Sequence, residues 1–398
     1  MKKWMVGRFT IVLVTALLVG VTSVSQDKAG ANNTATTASK QEAALPAALP
    51  IANQPVQRGE FLKLVVATLE MALEEAAGSG YEVYAKAARD HQLYVETDFP
   101  NSSQSLSKPI TRKEVARVIV RATGGNTQED DKWMYLATKS GLLTGLGKGE
   151  LGEDKTITQA QADKIMERIR TLNAGGQLEA DKYAVSSAEL AWHKTNIFTV
   201  MPEIFVTREE HYKGKTIEEL WREDLMVIET KNGLYKGQLD ALIAIDLEDP
   251  NDPNLKLLDP IQELKIDFHG ARINNVPVDN YPITDWKKSY ILLFKGRTIY
   301  NKDKTKFATY QHGPLTAIHG IEPPDIQLFR QKKVLNQAAS LYRKEANDVE
   351  AYIIPKEGWI QEKERQIYIT IRTPALSEWV GGIENKLIRV DGPKYIKD

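Results

Sequence analysis

Two arginines stand where an anion could be held. Arg58 lies in Val56-Gln57-Arg58-Gly59-Glu60-Phe61 and Arg112 in Ile110-Thr111-Arg112-Lys113-Glu114-Val115. In each segment a polar residue occupies a helix N-cap position, with Glu three residues later. An arginine at such a start adds a bidentate donor to free backbone N–H groups and the positive end of the helix dipole. That combination suits a carboxylate on an acidic sugar. The loop Gly145-Leu146-Gly147-Lys148-Gly149 adds a cation where glycine lets the backbone come close. Arg58, Arg112, Lys148, Gly145 and Glu114 are therefore the candidate glycan-binding residues.

Other chemistry is sparse. Asp246, Glu248, Asp249 and Asp252 crowd one segment, as extracellular calcium sites do, but EF-hand spacing is absent and Asp-Pro-Asn-Asp-Pro is ordinary turn composition. His269, His312 and His319 are too scattered for one helix or loop to supply two zinc ligands. Gly147-Lys148-Gly149-Glu150-Leu151-Gly152 satisfies a dinucleotide fingerprint, yet a helical segment rather than a strand precedes it. Ser105-Leu106-Ser107-Lys108 lacks the companion motifs of a serine acyl-enzyme. Carboxylates such as Glu209-Glu210 and Glu218-Glu219 are plentiful, but no spacing marks a glycosidase pair. No catalytic residue, cofactor or metal is assigned.

The elements that position the arginines repeat. A third segment, Ile157-Thr158-Gln159-Ala160-Gln161-Ala162, aligns with the first two. In register, apolar residues recur at Phe61/Val115/Ala162, Leu64/Val118/Ile165 and Val65/Ile119/Met166, with Lys63/Arg117/Lys164 on the other side. Tyr84 to Leu93 aligns in the same way with Trp133 to Leu142, so the unit reads helix, loop, capped helix. These residues resemble the S-layer homology (SLH) family. Ala137, Gly141-Leu142-Leu143, Gly145, Gly149, Leu151 and Ile157-Thr158-Gln159-Ala160-Gln161 follow its frame, and Ile110-Thr111-Arg112-Lys113-Glu114 keeps its second-helix opening. The likeness spans about 120 residues, Pro55 to Leu172. The family's Asp-Val…Trp opening is missing, Trp133 stands at a family alanine position, and Gln159 replaces the third arginine. The resemblance implies a pseudo-threefold helical domain that binds anionic, often pyruvylated, secondary cell-wall polysaccharide between units. Asp181 to His193 is helix-compatible and could supply a missing first helix.

Composition sets the frame. The 398 residues carry 52 Lys+Arg against 53 Asp+Glu, a net charge of −1, which gives no reason to expect nucleic acid as a partner. With 42% hydrophobic and 26% charged residues the chain reads as globular, and zero cysteines exclude disulfides, thiolate sites and a lipid-bearing cysteine. Lys2, Lys3 and Arg8, the apolar run Phe9 to Val24, and Ala29-Gly30-Ala31 form a cleavable signal peptide over 1–31. No membrane span is expected after cleavage. Residues 32–54, rich in Ala, Thr and Pro, read as a linker.

After Asn173-Ala174-Gly175-Gly176 the texture changes. Asn232-Gly233 between Met226–Lys231 and Leu234 onward predicts a type I′ hairpin. Strands are expected at 264–268, 290–294 and 366–372, and helices at Thr216–Glu223 and Asp325–Asn347. The expectation is an N-terminal all-α SLH-like repeat module over 55–175 and an α+β domain over 186–398. The function expected is that of a secreted cell-wall or cell-surface protein, non-enzymatic and held non-covalently on anionic polysaccharide. The alternative is a secreted hydrolase of envelope polymers using the module for targeting.

Overall fold

The computed structural model describes residues 51–73, 80–212, 214–268, 272–307, 312–323, 325–363, 365–375 and 382–395. The expected signal peptide, the expected linker as far as residue 50, and His269 lie outside them. The helical part runs through α1 (Arg58–Thr68), α2 (Glu82–Asp90), α3 (Ser103–Leu106), α4 (Arg112–Ala122), α5 (Lys132–Lys139), α6 (Gln159–Asn173) and α7 (Lys182–His193). Both expected capping boxes form. Thr111 accepts from the Glu114 N–H while Glu114 accepts from the Thr111 N–H, and Thr158 and Gln161 do the same at α6. Phe61, Val65, Val115, Val118, Ile119, Ala162, Ile165 and Met166 are buried in one core that extends to Trp192.

The all-α repeat expectation needs correction. Residues just before a cap cannot be helical, and their buried N–H groups must find partners. Here they find one another. The Val56 N–H donates to the Ile157 carbonyl (3.0 Å), the Ile110 N–H to that of Val56 (2.9 Å), and the Ile157 N–H to that of Ile110 (3.4 Å). Short extended bridges at Pro55–Thr158, Gln57–Pro109 and Thr111–Thr156 surround this ring. The hub of the helical region is thus β-like backbone, and the elements around it are unequal: α6 has 15 residues where α1 and α4 have 11, and the one-turn α3 intervenes only before α4. The region from 58 to 193 is helical, but it is not an all-α array of one repeated unit. The segment Asp181–His193 does form a helix, capped by the Asp181 carboxylate on the Tyr183 and Ala184 N–H groups.

Beyond α7 the chain is β-rich. It contains α8 (Ile197–Val200), β1 (Val227–Glu229), β2 (Tyr235–Asp246), β3 (Lys265–Asp267), β4 (Arg272–Ile273), β5 (Val276–Pro277), β6 (Ser289–Asn301) and β7 (Leu315–His319). There follow α9 (Ile326–Lys332), β8 (Ala339–Tyr342), β9 (Ala351–Pro355), β10 (Ile367–Arg372) and β11 (Glu384–Val390). An antiparallel sheet ordered β1-β2-β6-β9-β8-β3 packs on a three-stranded antiparallel sheet, β11-β10-β7. Leu242, Ala244, Leu292 and Ile354 meet Ile367, Ile369, Ile371, Leu387 and Val390 between them, while Ile243, Ile245, Ile291 and Ile353 face a second core with Phe329. A continuous apolar run such as Leu242–Ile245 is what a strand covered on both faces requires. β6 pairs β2 as far as Asp246, but on the other edge the short β1 leaves the far half of β2 without a strand neighbour. Lys194 and Asn196 fill the gap: the Leu242 N–H donates to the Lys194 carbonyl (2.8 Å) and the Ala244 N–H to Asn196 Oδ1 (2.7 Å).

Three local expectations change. Only Gly233 of the Asn232-Gly233 pair has positive φ, so the turn is not type I′; Thr230 Oγ1 accepts from the Leu234 and Tyr235 N–H groups to close it. The helix expected over Asp325–Asn347 stops where Lys333 turns left-handed (φ 53°), and Ala339 and Leu341 alternate into the core as a strand. Thr216–Glu223 is not a helix but the 3₁₀ turn Glu218–Leu220 and the start of another, Glu223–Leu225, because extended backbone at Trp221 between them drives that indole into the core.

Candidate functional site

The residues expected to bind glycan have well-defined surroundings. The Arg58 guanidinium donates to both Glu114 carboxylate oxygens, Nη2 to Oε1 at 2.6 Å and Nε to Oε2 at 3.1 Å. It also reaches Ser105 Oγ (3.0 Å) and lies 5.0 Å from the Phe99 ring centroid. Arg112 is buried. Its Nε donates to the Leu151 carbonyl (2.7 Å) and its Nη2 to that of Thr144 (2.5 Å), so it braces the turn before α6. Burial lowers its pKa, opposed by Glu150 nearby. The Gly145 N–H donates to Asp181 (3.0 Å), and Lys148 is exposed with no side-chain partner among the described residues. Arg58 and Glu114 are brought together; Arg112, Gly145 and Lys148 lie around the neighbouring loop, not at one shared concavity.

A concavity does open on the other side of α4. It is an open cleft of about 750 Å³ between the loop after α2, the face of α4, and the loop leading to α5. Arg117 and Arg121, one helical turn apart, form its floor with Trp133, and Arg121 lies 4.5 Å from the Trp133 ring centroid. The buried carboxylate of Asp98 accepts from Nη1 and Nη2 of Arg121 and stands 3.8 Å from Arg117 Nε. Arg117 also pairs with Asp130, whose pKa is held below the usual carboxylate range by Lys113 as well as Arg117, against partial burial. The rim is neutral and polar: Gln92, Thr97, Asn126 and Gln128, with His91 at the edge. Held guanidinium–carboxylate pairs, amides, hydroxyls and one indole suit a hydroxyl-rich ligand better than an apolar one.

Sequence reasoning placed Arg117 on the polar face of its helix but did not join it to Arg121 and Trp133. The usable signal was the i, i+4 cationic stripe Lys113/Arg117/Arg121 beside the loop Gly124-Gly125-Asn126-Thr127-Gln128.

The other candidates have internal partners. Asp246 and Glu248 pair with Lys356 (2.7 and 3.0 Å), Asp249 with Lys182 and the Tyr183 hydroxyl, and Asp252 accepts from the Asp246 and Asn254 N–H groups. Among the described residues no group of three or more His, Asp or Glu is placed to hold a metal ion. His312 is exposed, and His319 donates to or accepts from Thr370 Oγ1 at 3.1 Å while stacking on Tyr368. Glu218 receives Lys139 (2.5 Å) and the Tyr135 hydroxyl (2.9 Å), and Glu219 receives Lys132 (2.5 Å). These carboxylates join the helical region to the β-rich region. Among the described residues no helix is long and apolar enough to cross a membrane.

No family model and no curated protein matches the chain.

Proposed function

We propose that the protein is a cell-envelope protein that holds wall polysaccharide non-covalently in the cleft between α2, α4 and α5. The observation that carries this reading is the cleft itself: the Arg117 guanidinium held by Asp130 and that of Arg121 held by Asp98 over Trp133, beneath a rim of amides and hydroxyls. Sugar recognition needs many directional donors and acceptors held in place before the ligand arrives, and paired Arg and Asp side chains supply both. An acidic sugar would exchange with Asp130, the exposed carboxylate of the set, for the Arg117 guanidinium. The resemblance to wall-binding SLH sequences and the export signal in residues 1–31 point to the same setting.

Co-sedimentation with purified cell walls tests it. Gln92→Ala with Gln128→Ala, both on the exposed rim, and Arg117→Ala should each weaken wall binding about tenfold, the loss of one or two good hydrogen bonds. Unchanged sedimentation of both variants, or a wild-type protein that stays in the supernatant, would overturn the reading.

A further inference from the structure

The sheet β11-β10-β7 buries Ile367, Ile369 and Ile371 and so must turn Tyr368, Thr370 and Arg372 to its other face. Around Tyr368 that face is cationic. Arg389 sits opposite Tyr368 in the β10–β11 register, and Lys386 stands 4.9 Å from the Tyr368 ring centroid. Arg365 and Gln366 enter from the start of β10, and Arg208 from the chain before β1. Together with Asp391 they enclose an open cleft of about 520 Å³.

Among the described residues the one carboxylate lining it, Asp391, is already engaged at both oxygens. Asp391 Oδ2 accepts from Thr207 Oγ1 (2.8 Å), the Arg208 N–H (3.1 Å) and Arg208 Nε (3.2 Å), and lies 2.8 Å from His211 Nδ1; its Oδ1 accepts from Gln366 Nε2 (2.8 Å). Burial opposes its ionisation, but those donors outweigh it and hold the carboxyl well below its usual range, so it stays ionised. Asp391 thus anchors one wall and neutralises Arg208, not Lys386 or Arg389. Arg365 pairs with Glu362 (2.8 Å) and Arg208 with the exposed Glu210 (3.3 Å). Arg389 and Lys386 have no carboxylate partner among the described residues. In a chain of net charge −1, with Arg208 and Arg365 held by Asp391, Glu210 and Glu362, the unpartnered Arg389 and Lys386 leave a local excess of positive charge.

We propose that this cleft is an anion site that takes a phosphomonoester. A dianion with three terminal oxygens matches several guanidinium and ammonium donors converging from two strands and a loop better than a single carboxylate does. The aromatic ring argues against a nucleic-acid strand. His319 stacks on Tyr368 at 4.4 Å from β7, and Lys386 covers it from β11 on the opposite side, so no open π-face remains for a base. Charge, not stacking, is what the site can read. The inference rests on a different region from the polysaccharide cleft and stands or falls without it.

Isothermal titration calorimetry of the full chain at fixed ionic strength tests it, with inorganic phosphate, a hexose phosphate, a hexuronate and a single-stranded oligonucleotide as ligands. Phosphate and hexose phosphate should bind one to one, and the hexuronate at least about tenfold more weakly. Lys386→Ala with Arg389→Ala should weaken phosphate binding at least about tenfold. Lys256→Ala with Lys304→Ala, the same charge loss at two exposed sites elsewhere, should change it less than about twofold. Arg389→Gln serves as the gentler variant if the double substitution unfolds, with the same direction expected. No binding of either phosphate, equal losses in both double variants, a hexuronate as tight as phosphate, or an oligonucleotide tighter than hexose phosphate would each overturn the assignment.

Discussion

Glu114 closes the α4 capping box and receives the Arg58 guanidinium, so one carboxylate serves two elements. Both side chains are mostly shielded from water, which puts the pair between a surface ion pair and a buried one. Glu114→Ala removes the cap and strands the guanidinium, and should cost about 3 kcal/mol in urea unfolding. A loss below about 1 kcal/mol would mean the pair is solvated. Glu189 offers a test by pH. It is fully buried and accepts from the Phe198 and Thr199 N–H groups, yet burial pushes its carboxyl up from 4.5 to about 8. The folded state therefore holds this proton more tightly than the unfolded chain. Stability credited to it is complete below about pH 4.5 and is lost as pH rises through about 8. The unfolding midpoint of the wild type should fall relative to Glu189→Gln between pH 5 and 8. A difference that stays flat over that range would show that Glu189 is ionised in the folded protein.

At the scale of elements, Thr158 caps α6 through its hydroxyl on the Gln161 N–H, and Thr158→Ala should cost about 1 kcal/mol, seen as a lower urea midpoint with an unchanged slope. An unchanged midpoint would mean water replaces the cap at no cost. Such helix starts were legible because capping and the 3.6-residue period are local in sequence. So was β10, where Ile367, Ile369 and Ile371 alternate with polar residues. The end of α9 was not: Leu328, Val334, Leu335, Ala338 and Leu341 fit a helical stripe, and only the left-handed turn at Lys333 breaks it. The ring joining Val56, Ile110 and Ile157 is made of backbone groups far apart in the chain, which no side-chain pattern announces. The cleft over Trp133 was hidden for the same reason, since Asp98, Arg117 and Trp133 meet only through packing of three segments.

The described residues form one compact unit, and charged contacts cross between its helical and β-rich regions at Lys139–Glu218, Lys132–Glu219 and Lys182–Asp249. Strand β2 also depends on Lys194 and Asn196 along the edge that β1 leaves uncovered. Calorimetry should therefore record a single unfolding transition with equal calorimetric and van't Hoff enthalpies, and Glu218→Ala should lower it as a whole. Two resolved transitions would show that the regions fold independently. The account depends most on the cleft over Trp133. Hydrogen–deuterium exchange with and without purified wall polysaccharide reads it directly. The account predicts slowed exchange in residues 91–98 and 124–130; slowing confined to other segments, or none at saturating polysaccharide, would contradict it.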